Sequence, residues 1–388
     1  MTQPIPAGSI QPLPNQRAKF EVDDAVAYFN AANLSPVLKS VRAAGEAALA
    51  RRSKPWTISA PDWFVSGEKL RSQRAALLGV HPDEVAHVPS TSYGLAAVAR
   101  NLTAKPGDRV LVLAGEFPSS YYTWKRFTAR TGAELLVVGR EPGQEWTEAI
   151  LAAIDDRVVI ASVPNVHWTN GALVDLTRVG AALARVGAAL VIDASQSLGA
   201  IPLDVPSLRP TAVVSVGYKW LLGPMSFGCL YVAPSLRDGE PLEENWISRA
   251  GADDFIGLID YQDDYMPGAR RFDVGQHSNF HLVPMAIAAM DQIEEWGVSR
   301  IGATLVAVTG EIAERATKLG IAVPPIERRA PHIIGLELPV PAARRAAAAL
   351  EAANVVVSRR GSALRIAPHL HNSREDVDRL LTSIASAL

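Results

Sequence analysis

Residues 158–219 read VVIASVPNVHWTNGALVDLTRVGAALARVGAALVIDASQSLGAIPLDVPSLRPTAVVSVGYK. Three stretches in it, VVIASVP, AALVIDAS and AVVSVG, are unbroken apolar runs with no polar alternation. Runs of that kind suit strands buried on both faces. Between the first two lies LTRVGAALARVG, whose apolar positions recur at helical spacing. The same alternation extends outward. Upstream come RVLVLA from Arg109, the helical SSYYTWKRFTART, the strand-like AELLVVG and the helical TEAILAAID, and downstream comes FGCLYVAP. Strands alternating with helices imply a parallel sheet built by right-handed crossovers. The central region, 45–285, is therefore expected to be a large, doubly wound α/β domain with a mostly parallel sheet.

Further out the pattern changes. The stretch up to about Pro14 reads as an extended arm, and residues 22–50 read as helical, interrupted by the turn-like AANLSP. Ala86 to Pro89 is strand-like, and STSYG follows it just before the helix-forming LAAVARNL. Beyond about Leu282 come two long helical stretches, the strand-like HIIGLELP, the helical AARRAAAALEAA, two more strands, NVVVSRR and SALRIAP, and a closing helix from Arg374. These predict a small α+β domain over 286–388, with 1–44 as a separate N-terminal segment.

The 388 residues carry 38 basic and 40 acidic side chains, a formal net charge of -2. A balance near zero argues against a nucleic-acid partner, which needs a basic face. The one cysteine cannot form an intramolecular disulfide or a cysteine-based zinc site. No run of 18 apolar residues appears, and the first twenty residues lack a signal-peptide core. The expectation is a cytoplasmic protein with no membrane partner. His369 and His371 do not form a metal-ligand pattern, and no metal site is expected.

In sheets of this type ligands bind at the carboxyl ends of the strands. Ser90-Thr91-Ser92-Tyr93-Gly94 places small hydroxyl residues at a helix N-terminus, which suits an anion such as a phosphate. Serine or threonine before a helix also serves as a plain cap. Asp193 directly follows a buried run, where a carboxylate is unfavourable without a partner. Lys219 lies within a mostly apolar stretch, and burial there would lower its pKa and suit Schiff-base chemistry. The bland alternative is a lysine reaching from a strand end to water. The three features together form a pyridoxal 5'-phosphate arrangement. In it the lysine bonds the cofactor, the aspartate keeps the pyridine nitrogen protonated, and the helix N-terminus takes the phosphate.

With these motifs the chain resembles the class V aminotransferase group of fold-type I pyridoxal phosphate enzymes, which includes cysteine desulfurases, kynureninases and isopenicillin N epimerase-like proteins. The resemblance runs from about Tyr28 to the C-terminus. YFNAANLSP looks like the entry segment lining the substrate site, which implies a role for Asn33. STSYGL matches the phosphate loop, with Ser92 and Tyr93 presenting N–H groups. EFPSSYYTW puts Phe117 on the cofactor ring. SVPNVHWTNG puts Asn165 near the phenolic oxygen, with His167 and Trp168 as candidate pocket residues or, equally, as strand-end packing. VIDASQSLGAIPLDV contributes Asp193 and Gln196, and SVGYKWLLGP contributes Lys219 with Tyr218 on the phosphate. RRFDVGQHSN points Gln276 at the phosphate of a partner subunit, which implies a homodimer with a shared site. In GSALRIAPHLHNSREDVDRL, Arg365 grips the carboxylate of an amino acid substrate.

The departures narrow the chemistry. Desulfurases carry a reactive cysteine upstream of the carboxylate arginine, and residues 354–365 contain none. Phe117 and Tyr218 stand where desulfurases have histidines, and Gln276 stands where many relatives have threonine. The resemblance thus implies a Lys219 aldimine and a quinonoid, then a lyase-type or epimerase-type outcome without a cysteine persulfide. An aminotransferase uses the same residues and is the alternative. A non-catalytic cofactor-binding protein is the alternative of another class, and the intact Lys219, Asp193 and Arg365 argue against it.

Overall fold

The protein is described by a computed structural model over residues 10–141, 143–360 and 363–388. Residues 1–9 of the expected arm and residues 361–362 of the C-terminal motif lie outside the described residues. A short strand, β1 (Ala27–Tyr28), precedes the main sheet. The sheet comprises β2 (Val85–Val88), β3 (Arg109–Leu113), β4 (Glu134–Val138), β5 (Val158–Pro164), β6 (Ala189–Asp193), β7 (Ala212–Ser215) and β8 (Gly228–Val232). Its order is β2-β8-β7-β6-β5-β3-β4. The strands from β4 across to β7 are parallel. β8 runs antiparallel to both β7 and β2. The reason lies in the connection: residues 216–227 contain no helix to carry the chain back across the sheet, and a parallel return needs such a crossover.

Both faces of the sheet are covered, as the unbroken apolar runs require. Val110, Val112, Val191 and Val214 enter one core. Leu111, Leu113, Ile192 and Val213 enter the other. The period of two along each strand sends neighbours to opposite faces. Each such side chain fully buried contributes about 1.5–3 kcal/mol.

The helices in order are α1 (Lys39–Arg52), α2 (Val65–Leu78), α3 (Thr91–Asn101), α4 (Pro118–Thr131), α5 (Trp146–Ala153), α6 (Leu176–Val186) and the short α7 (Val205–Leu208). After them come α8 (Leu282–Trp296) and α9 (Val298–Lys318). The expectation of helix over 22–38 is corrected here. That stretch is largely extended and contains β1, and helix begins only at Lys39. Ser35 precedes Pro36, and a residue before proline is driven out of the helical region. Helix α2 occupies a stretch that no apolar periodicity marks. Its buried Arg71 makes two bonds to Asp273, of 3.1 and 2.6 Å, which tie the segment before Gln276 to the sheet edge.

A third core lies beyond the sheet. It is built on β9 (Ile334–Glu337), α10 (Val340–Ala352), β10 (Val355–Val356), β11 (Ser358–Arg360), β12 (Ala363–Ile366) and α11 (Arg374–Ala385). β11, β12 and β9 form an antiparallel sheet. β1 pairs in parallel with β10, and Ala27 and Phe29 join this core from the far end of the sequence. Helix α9 spans two cores, with Ile301 and Leu305 in one and Ile312 and Ala316 in the other. Among the described residues no helix is long and apolar enough to cross a membrane.

Candidate active site

The carboxyl ends of β3, β5, β6 and β7 and the start of α3 converge on one cavity. Its lining includes Ser92, Phe117, Asp193, Gln196, Tyr218 and Lys219. Register explains part of this convergence. Asp193 lies level with Pro164 of β5 and Val214 of β7, so the residues after each strand emerge side by side. A larger cleft between Trp146, Asp175 and Arg329 holds none of these six residues.

Lys219 is 8% exposed. Burial lowers its amine from 10.5 to about 8, and the nearby Asp193 charge opposes that shift. Its Nζ stands 5.4 Å from the centre of the Phe117 ring and 5.9 Å from that of Tyr218. Asp193 accepts a 2.9 Å bond from the Ser195 N–H. Burial raises its pKa, against the Ser195 hydrogen bonds and the Lys219 charge. Tyr218 is raised as well, by burial first and then by Asp193.

Glu116 also lines the cavity and is nearly fully buried. Burial, reinforced by Asp193, pushes its carboxyl up to about 8, so it carries a proton at neutral pH. Its Oε1 accepts from the Phe117 N–H at 2.6 Å, while Oε2 has no partner among the described residues. Sequence reasoning used Glu116 only to mark Phe117. The signal for it was the one that marks Asp193, an acidic residue just past a buried apolar run.

Gln196 is held by two side-chain bonds. The Trp220 indole N–H donates to Oε1 at 3.0 Å, and Nε2 donates to the Ala32 carbonyl at 3.0 Å. An indole nitrogen can only donate, so this contact fixes which end of the amide is oxygen. The NH2 group keeps a second hydrogen.

The other expected residues are placed as follows. Asn165 is buried at the end of β5, and neither side-chain polar atom has a partner among the described residues. The Tyr93 N–H is capped by Ser90 Oγ at 3.1 Å, so it is not presented outward as expected, and its hydroxyl donates to Glu243 at 2.8 Å. His167 is turned away from the cavity: it stacks on Trp146 at 5.0 Å and bonds Thr169 at 2.7 Å. Burial lowers it to about 4, so it is a neutral packing residue. Its neighbour Trp168 lines the cavity instead, edge-on to Phe117 at 5.5 Å. Asn33 is exposed and outside the lining, as is Gln276, whose φ is 63°. Arg365 is 1% exposed and donates to the Trp168 carbonyl at 2.7 Å.

A flat cofactor with a protonated ring nitrogen and a phosphate tail fits these groups. The buried amide of Asn165 and the acid of Glu116 each leave polar atoms unpaired, and buried polar atoms are normally paired. Among the described residues no three His, Cys, Asp or Glu side chains gather as a metal site.

Comparison with known proteins agrees. The family model described as Aminotransferase class-V matches residues 65–380. An uncharacterized aminotransferase, YcbU of Bacillus subtilis, is 29% identical, over 82% of this chain and 83% of its own length. A kynureninase of Deinococcus radiodurans is 28% identical, over 68% of this chain and 65% of its own. Among solved structures, a cysteine desulfurase of Thermococcus onnurineus superposes with a TM-score of 0.83 at 20% identity, covering 97% of this chain and 99% of that one. The cystine C–S lyase C-DES, in complex with cysteine persulfide, gives 0.83 at 18% identity, covering 93% and 97%. The chain therefore belongs to the aminotransferase class-V family, has the fold-type I architecture, and is an enzyme whose cofactor is pyridoxal phosphate.

Proposed function

We propose that the protein takes an amino acid as its small-molecule substrate and breaks a bond at its α-carbon, with a lyase-type or epimerase-type outcome. The setting of Lys219 carries the α-carbon chemistry, which an aminotransferase would share: a nearly buried amine near pKa 8, beside Asp193 and over the Phe117 ring. An amine so tuned is partly unprotonated at neutral pH and can serve both as nucleophile and as base. Pyridoxal phosphate, once bound, supplies a ring that accepts the electron pair left at the α-carbon. When it is bound, Asp193 would hold a proton on the ring nitrogen, and Phe117 would offer it a flat apolar face. The start of α3, with Ser92 and Tyr218, would take the phosphate. Gln196 would offer its free N–H to the phenolic oxygen, and the unpaired amide of Asn165 would be a second candidate for it. Arg365 holds the substrate carboxylate, and Lys219 moves the α-proton.

The lone Cys229 is 1% exposed within β8, which supports a route without a cysteine persulfide. Incubation with a panel of amino acids tests the outcome. Pyruvate, ammonia and α-deuterium exchange are followed together with pyridoxamine phosphate. Pyridoxamine phosphate as the main stable product would overturn the lyase or epimerase reading and make the protein an aminotransferase.

The active unit we infer is a homodimer. Trp63, Trp246, Phe255 and Phe280 form an aromatic cluster, and Ile256, Ile259 and Tyr261 beside it in the chain are 80% or more exposed. Apolar exposure on that scale favours association. Gln276 follows this segment in a left-handed conformation, which suits a residue held out toward the partner's phosphate. We also propose an N-terminal entry segment at 1–44, a large domain at 45–285 and a small domain at 286–388; the separate core of β9 to α11, with β1 lent to it, supports the small one. Sedimentation of the holoenzyme tests the dimer, and a monomer with full activity refutes it.

A further inference from the structure

Arg360 and Arg365 lie on one face of the β11–β12 hairpin. Arg365 sits opposite Ser358, and residues two apart on a strand share a face. Arg360 is therefore the diagonal neighbour of Arg365, about 7–8 Å away in ordinary sheet geometry. Both converge on Trp168. The Arg360 guanidinium stands over its ring at 5.4 Å, and Arg365 donates to its carbonyl at 2.7 Å. Trp168 lines the Lys219 cavity.

Neither arginine has a carboxylate partner among the described residues, and each has a buried Nε without a hydrogen bond. The other bonds are weak anchors: Arg360 donates to the Arg359 carbonyl at 2.9 Å, and Arg365 to Ser358 Oγ at 3.4 Å. Both charges reach Lys219 and depress its amine, and Arg360 depresses Arg365 in turn. Two like charges side by side in a partly desolvated mouth repel, and the repulsion is relieved by anions on the ligand. A single α-carboxylate satisfies one guanidinium. The other is left without an anion, held over the Trp168 ring that lines the cavity.

We propose that Arg360 reads a second anionic group, so that the substrate is an amino acid with an acidic side chain. The proposal rests on the reading above, in which Arg365 takes the α-carboxylate beside the bound cofactor. Arg360 then acts as a specificity residue. Its fork of donors suits a carboxylate, and Trp168 fixes its plane.

The test uses the holoenzyme and four ligands: L-aspartate against L-asparagine, and L-glutamate against L-glutamine. Each pair differs in charge and hardly in shape. Binding is read from the change in the cofactor's absorbance band. At least one acid is expected to bind about tenfold more tightly than its amide. Arg360→Met should bring that ratio near one while changing affinity for the amide less than about twofold, and Arg360→Lys should keep part of the preference. Arg365→Met should weaken acid and amide alike. Equal binding of acid and amide by the wild type overturns the proposal. So does failure of both acids to perturb the band, or an equal loss for acid and amide in Arg360→Met. The site reading fails separately, if the wild type supplied with pyridoxal phosphate shows no band that Lys219→Ala removes.

Discussion

Lys219→Met takes a charge out of a buried place and keeps most of the side chain's volume. In the folded chain burial brings this amine from 10.5 down to about 8. Between those two values the unfolded chain binds a proton that the folded chain does not. The slope of stability with pH follows the excess of protons on the unfolded chain, so wild-type stability should rise through this window. Below about pH 8 both forms are charged and the whole penalty stands. At about 1.4 kcal/mol per tenfold it comes to about 3 kcal/mol. Methionine has no charge to bury. The variant should therefore be more stable than wild type at neutral pH by up to about 3 kcal/mol, a figure that already includes the attraction to Asp193. The gap should close as the pH approaches 10.5. Urea unfolding of both proteins, stripped of cofactor and followed by tryptophan fluorescence at several pH values, measures it. A variant no more stable than wild type at neutral pH, with a flat wild-type profile across the window, would refute the buried-charge account of Lys219.

Three other outcomes are expected. Asp193→Asn removes the charge that holds the ring proton, so kcat/KM should fall at least about a hundredfold while the cofactor still binds; a loss under about fivefold in steady-state kinetics counts against that role. Trp220→Phe keeps the aromatic contact with His332 and deletes the N–H that orients Gln196. One net hydrogen bond is worth about 1 kcal/mol, so the dissociation constant for pyridoxal phosphate should rise about fivefold, and an unchanged value means Gln196 needs no such support. Gly94→Ala would set a Cβ 2.6 Å from Val214 Cγ2, where α3 lies on the sheet. Overpacking of this kind should destabilise by about 1–3 kcal/mol in urea melts, although alanine by itself favours helix, so a neutral result refutes the close approach.

Asp193 and Lys219 were legible because each is a charged group ending a long apolar run, an arrangement that physics alone makes conspicuous. Phe117 and Asn165 carry no such mark, since an aromatic or an amide at a strand end is ordinary, and only the family resemblance singled them out. His167 shows the limit of adjacency. It and Trp168 are neighbours in sequence, yet one turns to Trp146 and the other to the cavity, and no local pattern decides which. The role of Trp220 depends on a pairing with Gln196 that arises only once two strand ends meet. Arg365 was visible as an arginine inside an apolar strand, whereas Arg360 looked like one of many surface arginines until the hairpin register brought the two together. The helix expected before Leu38 was a choice of the wrong period. Ala27, Phe29 and Ala31 are buried while Tyr28 and Asn30 between them are less so, which is the alternation of a strand.

The pairing of β1 with β10 bears on how the chain matures during synthesis. The main sheet has all its strands once residue 232 has left the ribosome, so it can assemble on the nascent chain. Ala27 and Phe29 cannot take their places until Val355 and the strands after it have been made. A segment made before the main sheet is thus among the last to dock, and Phe29 stays uncovered while the sheet is completed. A chain cut short before residue 355 would leave it so permanently, a ready mark for the proteases and chaperones that recognise unfinished proteins.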